Sequence, residues 1–268
     1  RQRQMCIRDR ILQRFVMINL SVLIIVHNEE KQLKACLETV KFADEIVVIL
    51  DKCSDKSKLI AKKYTDKIYE GSWDIEGKRR NYGIKKCNGK WIFEIDADER
   101  VPKDLKKEII NVVKKSKNDW HLVDVKNFFG EKIIRFGWGC YIGKSSYVGL
   151  FRKKSKIWGM QRVHPKIFLK GKRGKKLEKK LIHFYCKSIY DLFEKLNSYS
   201  TARAKDLQDN DNDESFIRNF RRIFSRFWKC YILRKGYKEK EIGLAIAISA
   251  GLYPILSYLK YKTETKND

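Results

Sequence analysis

The sequence predicts an α/β fold, a mostly parallel sheet flanked by helices, with a basic, amphipathic helical tail at the C-terminal end. Three observations lead there. Leu20–Val26 (LSVLIIV) and Glu45–Leu50 (EIVVIL) are nearly continuous apolar, β-branched runs, as expected of strands buried on both faces. Each is followed by a turn and then by apolar residues at helical spacing, so strands alternate with helices and pair in parallel through right-handed crossovers. Phe216–Lys235 (FIRNFRRIFSRFWKCYILRK) then alternates aromatic and basic residues at helical spacing.

Along the chain, His27-Asn28-Glu29-Glu30 forms the turn after the first strand, and Leu33, Leu37 and Val40 mark the apolar face of the first helix. The second strand ends in Asp51, and Ser54 and Asp55 supply N-cap chemistry for a helix through Leu59, Ile60 and Tyr64. Lys67–Tyr69 reads as a short third strand, Gly77–Lys86 (GKRRNYGIKK) as a basic helix, and Trp91–Ile95 as a fourth strand ending at Asp96. Pro102 opens a helix over Lys103–Lys115. From Trp120 to Leu169 the pattern changes to short β-like pieces with Gly and aromatics, a substrate-binding half added to the first sheet. Ser188–Ala204 is helical and Asp206–Glu214 is an acidic, solvated loop.

Composition narrows the function classes. The 268 residues are 43% hydrophobic, enough for a real core, which excludes collagen-like, low-complexity and wholly disordered chains. Sixty Lys and Arg against 33 Asp and Glu leave a formal charge of +27, which calls for an anionic partner: nucleic acid, acidic lipid or a phosphorylated substrate. The 7 Cys are scattered with no CxxC pair, so neither a zinc ribbon nor a disulfide framework is indicated and a reducing compartment is expected. GxGxxG and GxxxxGK[ST] are both missing from the sequence, which removes support for dinucleotide and P-loop sites.

In a parallel sheet, ligands bind beyond the carboxyl ends of the strands. Here the turns at those ends hold Asn28, Glu29, Asp51, Asp55, Asp96 and Asp98. Asp96-Ala97-Asp98-Glu99-Arg100 is the most informative stretch. Residues i and i+2 at a strand end point the same way, so Asp96 and Asp98 can converge on one ligand. Two hard oxygen donors suit Mg²⁺ or Mn²⁺, which keeps its other positions for water and substrate phosphates. A calcium loop of the EF-hand kind is disfavoured, because Val101 stands where that loop needs Gly.

With these residues in place the sequence resembles the family 2 glycosyltransferases, which have the GT-A fold, a Rossmann-like, mostly parallel sheet flanked by helices. Within them it is similar to the lipopolysaccharide-core glucosyltransferase group of the WaaE/KdtX type. The matching segments are SVLIIVHNEE (Ser21–Glu30), ADEIVVILDKCSDKS (Ala43–Ser57), GKRRNYG (Gly77–Gly83), DADER (Asp96–Arg100), GLFRK (Gly149–Lys153), RVHPKI (Arg162–Ile167), HFYCKS (His183–Ser188) and KLNSYST (Lys195–Thr201). The resemblance implies transfer of a hexose, glucose or similar, from a UDP-sugar to a lipid-linked or lipopolysaccharide-core acceptor, metal-assisted and with inversion. It implies that Asn28, Glu29 and Asp51 contact uridine and ribose, and that Lys78, Arg79, Arg80 and Asn81 approach the base or phosphates. Asp96 and Asp98 would hold ribose and the metal-bridged diphosphate, and His183 and Tyr185 would line the acceptor side. Inversion needs a base for the acceptor hydroxyl. The group often reads Val-His-Glu where this chain has Val163-His164-Pro165, so the expected Glu is missing and His164, with an ordinary pKa of about 6.5, is the candidate that remains.

Residues 1–16 read as a non-native or disordered leader: they have no apolar signal-peptide core, MCIRDR resembles translated adaptor read-through, and Met17 is a natural start. Residues 17–205 are expected to form the catalytic domain, with 17–118 as the nucleotide-sugar half and 119–205 as the acceptor half. Residues 206–268 are expected to form a helical tail that associates with an anionic membrane, on the inner face of a bacterial inner membrane. Within it Ile242–Leu259 is uncharged and flanked by lysines, and its length admits a span, an interfacial helix or a buried helix. Three other classes compete. A nucleic-acid-binding protein fits the charge but not the paired acids, and nucleic acid is not the expected partner. A sugar-nucleotide nucleotidyltransferase would show a Gly-rich loop near the first strand, where VHNEE has none. An inactive membrane-associated paralogue is compatible with Pro165.

Overall fold

A computed structural model of the chain describes residues 19–139, 145–161, 165–209 and 214–264. The first half is the predicted alternation: β1 (Leu20–Val26), α1 (Leu33–Val40), β2 (Glu45–Asp51), α2 (Ser57–Ala61), β3 (Ile68–Gly71), α3 (Glu76–Lys86), β4 (Trp91–Asp96), the two-residue β5 (Glu99–Arg100) and α4 (Lys103–Lys115). β1 pairs in parallel with both β2 and β4, and β2 with β3, in a register that sets Val26 beside Leu50 and Ile25 beside Asp96. The ends of β1, β2 and β4 therefore form one edge.

Both faces of these strands are covered, which is why they read as unbroken apolar runs. Val22, Ile24 and Val26 pack with Leu33 and Leu37 of α1 and Leu105 and Ile109 of α4. The alternate residues Leu23, Ile25, Val47 and Ile49 pack with Ile84 of α3. Helix α3 lies unusually close to the sheet. A Cβ on Gly83 would stand 2.6 Å from Leu23 Cδ1, and one on Gly77 would collide with the Gly159 carbonyl.

The second half adds β6 (Trp120–Phe129), β7 (Lys132–Ile133), β8 (Ser146–Arg152), β9 (Lys156–Trp158), β10 (Ile167–Leu169) and β11 (Leu181–Cys186). They extend the sheet to the order β3-β2-β1-β4-β8-β6-β11-β5, with β7 on β6 and a separate β9–β10 hairpin. β8 is antiparallel to β4 and β6, β11 is parallel to β6, and β5 closes back antiparallel on β11. The fold is thus mixed α/β with a parallel nucleus, as expected.

Five helical segments follow among the described residues: α5 (Ile189–Asp209), α6 (Phe216–Trp228), a π turn at Lys229–Leu233, a short 3₁₀ turn at Gly236–Glu239, and α7 (Lys240–Thr263). Several boundaries differ from the sequence reading: the helix expected through Tyr64 ends at Ala61, and the basic helix starts at Glu76 rather than Gly77. The third strand begins one residue later and runs two further, to Gly71. Helix α5 continues to Asp209, across the expected 205/206 boundary, because Ala204 and Leu207 extend its buried face. The expected helix 216–235 breaks after Trp228, and Lys235 takes a left-handed φ of 58° before Gly236. Cys230 is fully buried there, and Glu239 Oε1 accepts the amides of Arg135 and Phe136 at 2.7 and 3.0 Å, pinning the turn to the segment after β7. The tail packs on the body through Phe129, Ile134, Leu192, Cys230 and Ile246.

A buried ion network joins α3, β4 and β9. Arg80 donates to Glu76 at 2.7 Å, Glu94 at 2.6 Å and Asp96 at 3.1 Å, and Lys156 donates to Glu94 at 2.8 Å and to the Val148 carbonyl at 2.8 Å. Removing one member of a buried pair strands the other, at a cost of about 3–5 kcal/mol. Lys156→Met should therefore lower unfolding free energy by about that much in urea titration, and Glu94→Gln added to it should recover part of the loss. A single-variant change below about 1 kcal/mol would show that the network does not hold β9 to the sheet.

Candidate active site

The carboxylates gather where the parallel strands end. After β1 the chain turns at Asn28, a residue type that tolerates its left-handed φ of 53°. Its side-chain oxygen accepts the Ser54 amide at 2.8 Å. The Glu29 amide donates to Ser57 Oγ at 3.0 Å, the Glu30 amide to Asp55 Oδ2 at 2.8 Å, and Asp55 Oδ1 accepts the Ser57 amide at 3.0 Å. The two turns are laced together; the N-cap position of α2 is Lys56 with no side-chain cap bond, so of the expected capping pair only Asp55 contributes, by accepting the first helical amide, while Asn28 is used as a turn residue.

Asp51, nearly buried at the end of β2, accepts the Trp73 amide at 3.0 Å on one oxygen and Arg79 Nη1 at 2.7 Å on the other. Arg79 Nε is buried and has no hydrogen-bond partner among the described residues. Lys78 is exposed on the same turn of α3. Arg80 is not at the surface with them: it is spent on Glu76, Glu94 and Asp96, with Trp158 stacked at 4.8 Å. Asn81 likewise brackets the Trp158 peptide, donating to its carbonyl at 2.8 Å and accepting its amide at 2.9 Å. The basic helix thus divides into a buried half that builds the site wall and a half, Lys78 and Arg79, that opens toward Asp51.

Asp96 accepts Arg80 Nη2, and its amide donates to Glu99 Oε2 at 2.8 Å. Asp98 follows in the turn between β4 and β5, where its carbonyl accepts the Phe184 amide at 3.0 Å. The β5–β11 pairing sets His183 opposite Glu99 and brings His183 Nε2 to 3.2 Å from Asp98 Oδ2. His183 Nδ1 meets Asn127 Oδ1 at 2.6 Å. An ionised carboxylate only accepts, so Nε2 carries a proton. Lys195 Nζ lies 3.8 Å from the same Asp98 oxygen, donates to the Tyr185 carbonyl at 2.6 Å and sits 4.2 Å over the Tyr185 ring. Burial alone would raise the Asp98 pKa, but the His183 hydrogen bond and the charges of His183 and Lys195 hold it below the usual carboxylate range.

The other oxygen, Asp98 Oδ1, is buried with no partner among the described residues. A buried carboxylate oxygen left without a donor is costly, so it is a natural position for a cation. The described residues offer no group of three or more His, Cys, Asp or Glu side chains placed to hold a metal. A divalent ion here would rest on Asp96 and Asp98 with water and substrate oxygens filling its shell, a donor set that suits Mg²⁺ or Mn²⁺. The residues present fit such an ion.

Glu29 faces this cluster. Burial, followed by Asp98 and Asp96, pushes its carboxyl up to about 7 against the opposing pull of Lys195. Of the sequence candidates, then, Glu29, Asp96, Asp98, His183 and Tyr185 come together, Asp51 and Arg79 pair beside them, and Lys78 stands exposed at the rim. His183 and Tyr185, expected to line an acceptor subsite, lie directly under Asp98. His164 lies outside the described residues. Sequence reasoning missed Lys195: KLNSYST stood among the resembling segments, yet nothing in its spacing shows that a lysine nearly a hundred residues after Asp98 returns to it.

Among known proteins, residues 21–138 match the family model described as Glycosyl transferase family 2. The chain is 25% identical over 245 residues to the lipopolysaccharide core biosynthesis glycosyltransferase LpsC of Rhizobium meliloti (strain 1021), covering 85% of this chain and 88% of that one. It is 24% identical over 234 residues to a Rickettsia bellii protein called an uncharacterized glycosyltransferase, covering 81% and 77% respectively. Among solved structures, residues 1–349 of S. aureus TarS align over 94% of this chain and 92% of that one, at 14% identity and a TM-score of 0.47.

Because Glu29 holds its proton to a higher pH in the folded state than in the unfolded chain, its ionisation costs stability as pH rises from about 5 to about 7. Allowing for its partial exposure, the effect is on the order of 1–2 kcal/mol. Urea titrations in EDTA should show wild type losing that much relative to Glu29→Gln across this window. A gap between the two proteins that does not change with pH would refute the assignment.

Proposed function

We propose that this glycosyltransferase, whose residues 21–138 match the Glycosyl transferase family 2 model, moves a hexose, glucose or similar, from a UDP-sugar to a lipid-linked or lipopolysaccharide-core acceptor, with inversion. The observation that carries this reading is the buried Asp98 Oδ1, without a partner among the described residues, at the edge where β1, β2 and β4 end. Asp96 stands next to it in the same motif, and Arg79, paired with Asp51, carries a second buried atom, Nε, without a partner among the described residues. A nucleoside diphosphate has matching chemistry: anionic oxygens for Arg79 and Lys78, and a charge that a cation held by Asp96 and Asp98 would balance.

In this reading Asp51 and Glu29 bind uridine and ribose, with Arg79 held in place by its ion pair to Asp51. Asn28 positions the turn, and Asn81 positions β9 through the Trp158 peptide. Asp96 and Asp98 would hold a Mg²⁺ or Mn²⁺ ion, which when bound would supply charge neutralisation for the diphosphate leaving group. Asp98 is kept ionised for that task by His183 and Lys195, and Lys195 adds a second positive charge near the same oxygen. His183 and Tyr185 form the floor on which the acceptor end of the cleft is built. His164 remains the candidate base for the acceptor hydroxyl. The relative LpsC acts in lipopolysaccharide core biosynthesis, which favours an acceptor presented at a membrane. The tail then meets the anionic inner face of the bacterial inner membrane, and residues 206–268 serve as the membrane-associating part.

Calorimetric titration with UDP tests the donor half. Binding is expected with Mn²⁺, and loss of at least about tenfold in affinity with Asp98→Ala or without metal. Arg79→Met should weaken binding in the presence of Mn²⁺ as well. Absence of UDP binding under either metal condition would remove the UDP-sugar reading.

A further inference from the structure

Helix α6 is turned the wrong way for a soluble protein. Its one fully buried side chain is Asn219, which donates to the Ser215 carbonyl at 3.1 Å and accepts from Arg222 at 3.0 Å. Arg226 also points inward, between Trp138 at 4.9 Å and Tyr253 at 5.6 Å. Outward instead lie Phe216, Ile217, Phe220, Phe224 and Trp228, each between 48% and 78% exposed. At 3.6 residues per turn these five cover an arc of about 120°, a complete apolar stripe. Arg221 and Arg218 follow at its edge, and Phe216–Trp228 contains no acidic residue.

Beside it, α7 is long and apolar enough to cross a membrane. Both its ends are tied to the same body, however. At its start Glu239 holds the Arg135 and Phe136 amides. Near its end Lys260 donates to Asn197 Oδ1 at 2.6 Å and Thr201 Oγ1 at 2.7 Å on α5. A spanning helix must place its ends on opposite sides of roughly 30 Å of hydrocarbon. The inward side of α7 is also filled: a Cβ on Gly251 would press on the Ile223 carbonyl at 2.8 Å. Its outward residues Leu244, Ile248 and Leu259 are partly exposed.

We propose that α6 and α7 form an in-plane docking face for an anionic lipid surface, in which the α6 aromatic stripe enters the headgroup region and no segment crosses. The occupant follows from charge. Arg218, Arg221, Lys229 and Lys235 surround an apolar stripe in a chain of net charge +27, so a second copy would set cations against cations, whereas an anionic leaflet attracts them. This deepens the membrane part of the proposed function. It rests on that reading only for where the acceptor is met.

The test uses the full chain with vesicles of phosphatidylcholine alone or with added phosphatidylglycerol. Sedimentation should show binding to the anionic vesicles, weakened at least about tenfold by Phe224→Ser combined with Trp228→Ser, since two aromatic rings leaving the interface exceed one decade of affinity. Brominated lipid should quench wild type more than Trp228→Phe. Melting temperature and UDP binding of the double variant should match wild type, so failure of the donor reading is seen separately in the UDP titration. Equal vesicle binding by wild type and the double variant would overturn the proposal. So would retention in membranes after alkaline carbonate extraction, the mark of a span, or a lipid-free dimer abolished by the same substitutions.

Discussion

The approach of α3 to the sheet is the constraint from which the site follows. Glycine at 83 lets the helix lie against Leu23 and Ile49 of the sheet, glycine at 77 lets it meet the Gly159 backbone, and Arg80 reaches under it to Glu94 and Asp96. An arginine is suited to this position because its planar fork donates in several directions at once. With Lys156 it sets two cations against three carboxylates in the interior, an arrangement that is tolerable only because each charge is hydrogen-bonded. Asp96 is oriented by that network, and β9 is held by it and by the Asn81–Trp158 bracket. The carboxylate edge is held by contacts that lie beneath it.

The second aspartate is held from the other direction. Asp98 takes no support from α3; its partners arrive on β11 and α5, from the half of the sheet that follows the parallel nucleus. The two members of one short motif are thus fixed by two different halves of the protein. A shift of one half against the other changes the separation of Asp96 and Asp98 directly. This makes the small β5–β11 pairing, with the Phe184 amide on the Asp98 carbonyl, as important to the site as the large parallel core.

Much of this was legible in the sequence, and what escaped has physical causes. The parallel nucleus could be read because strands buried on both faces leave a run such as LSVLIIV, and the edge could be read because Glu29, Asp51, Asp96 and Asp98 each follow such a run. The division within GKRRNYG could not. Lys78 and Arg80 look alike in a basic helix, and only the depth of α3, set by glycines whose role is steric, decides which cation is buried. Lys195 was hidden because its contact with Asp98 depends on non-local pairing of β11. The segment 216–235 reads as one helix because periodicity records an apolar stripe without saying which way it faces or where an α-helix passes into a π turn, as it does after Trp228 around the buried Cys230.

In the proposed function that stripe would bear on catalysis through one short connection. Lys260 of α7 grips Asn197 and Thr201, and Lys195, two residues from Asn197 on the same helix, reaches Asp98. The tail is therefore fixed in orientation relative to the carboxylates rather than tethered by a flexible linker. Flexible tethers raise local concentration but leave angle free, whereas a bolted face would fix both the height and the tilt of the cleft above a surface. For an acceptor whose own anchor lies in that surface, fixing the angle matters more than further affinity would. Orientation of two reactants contributes to rate where simple attachment does not.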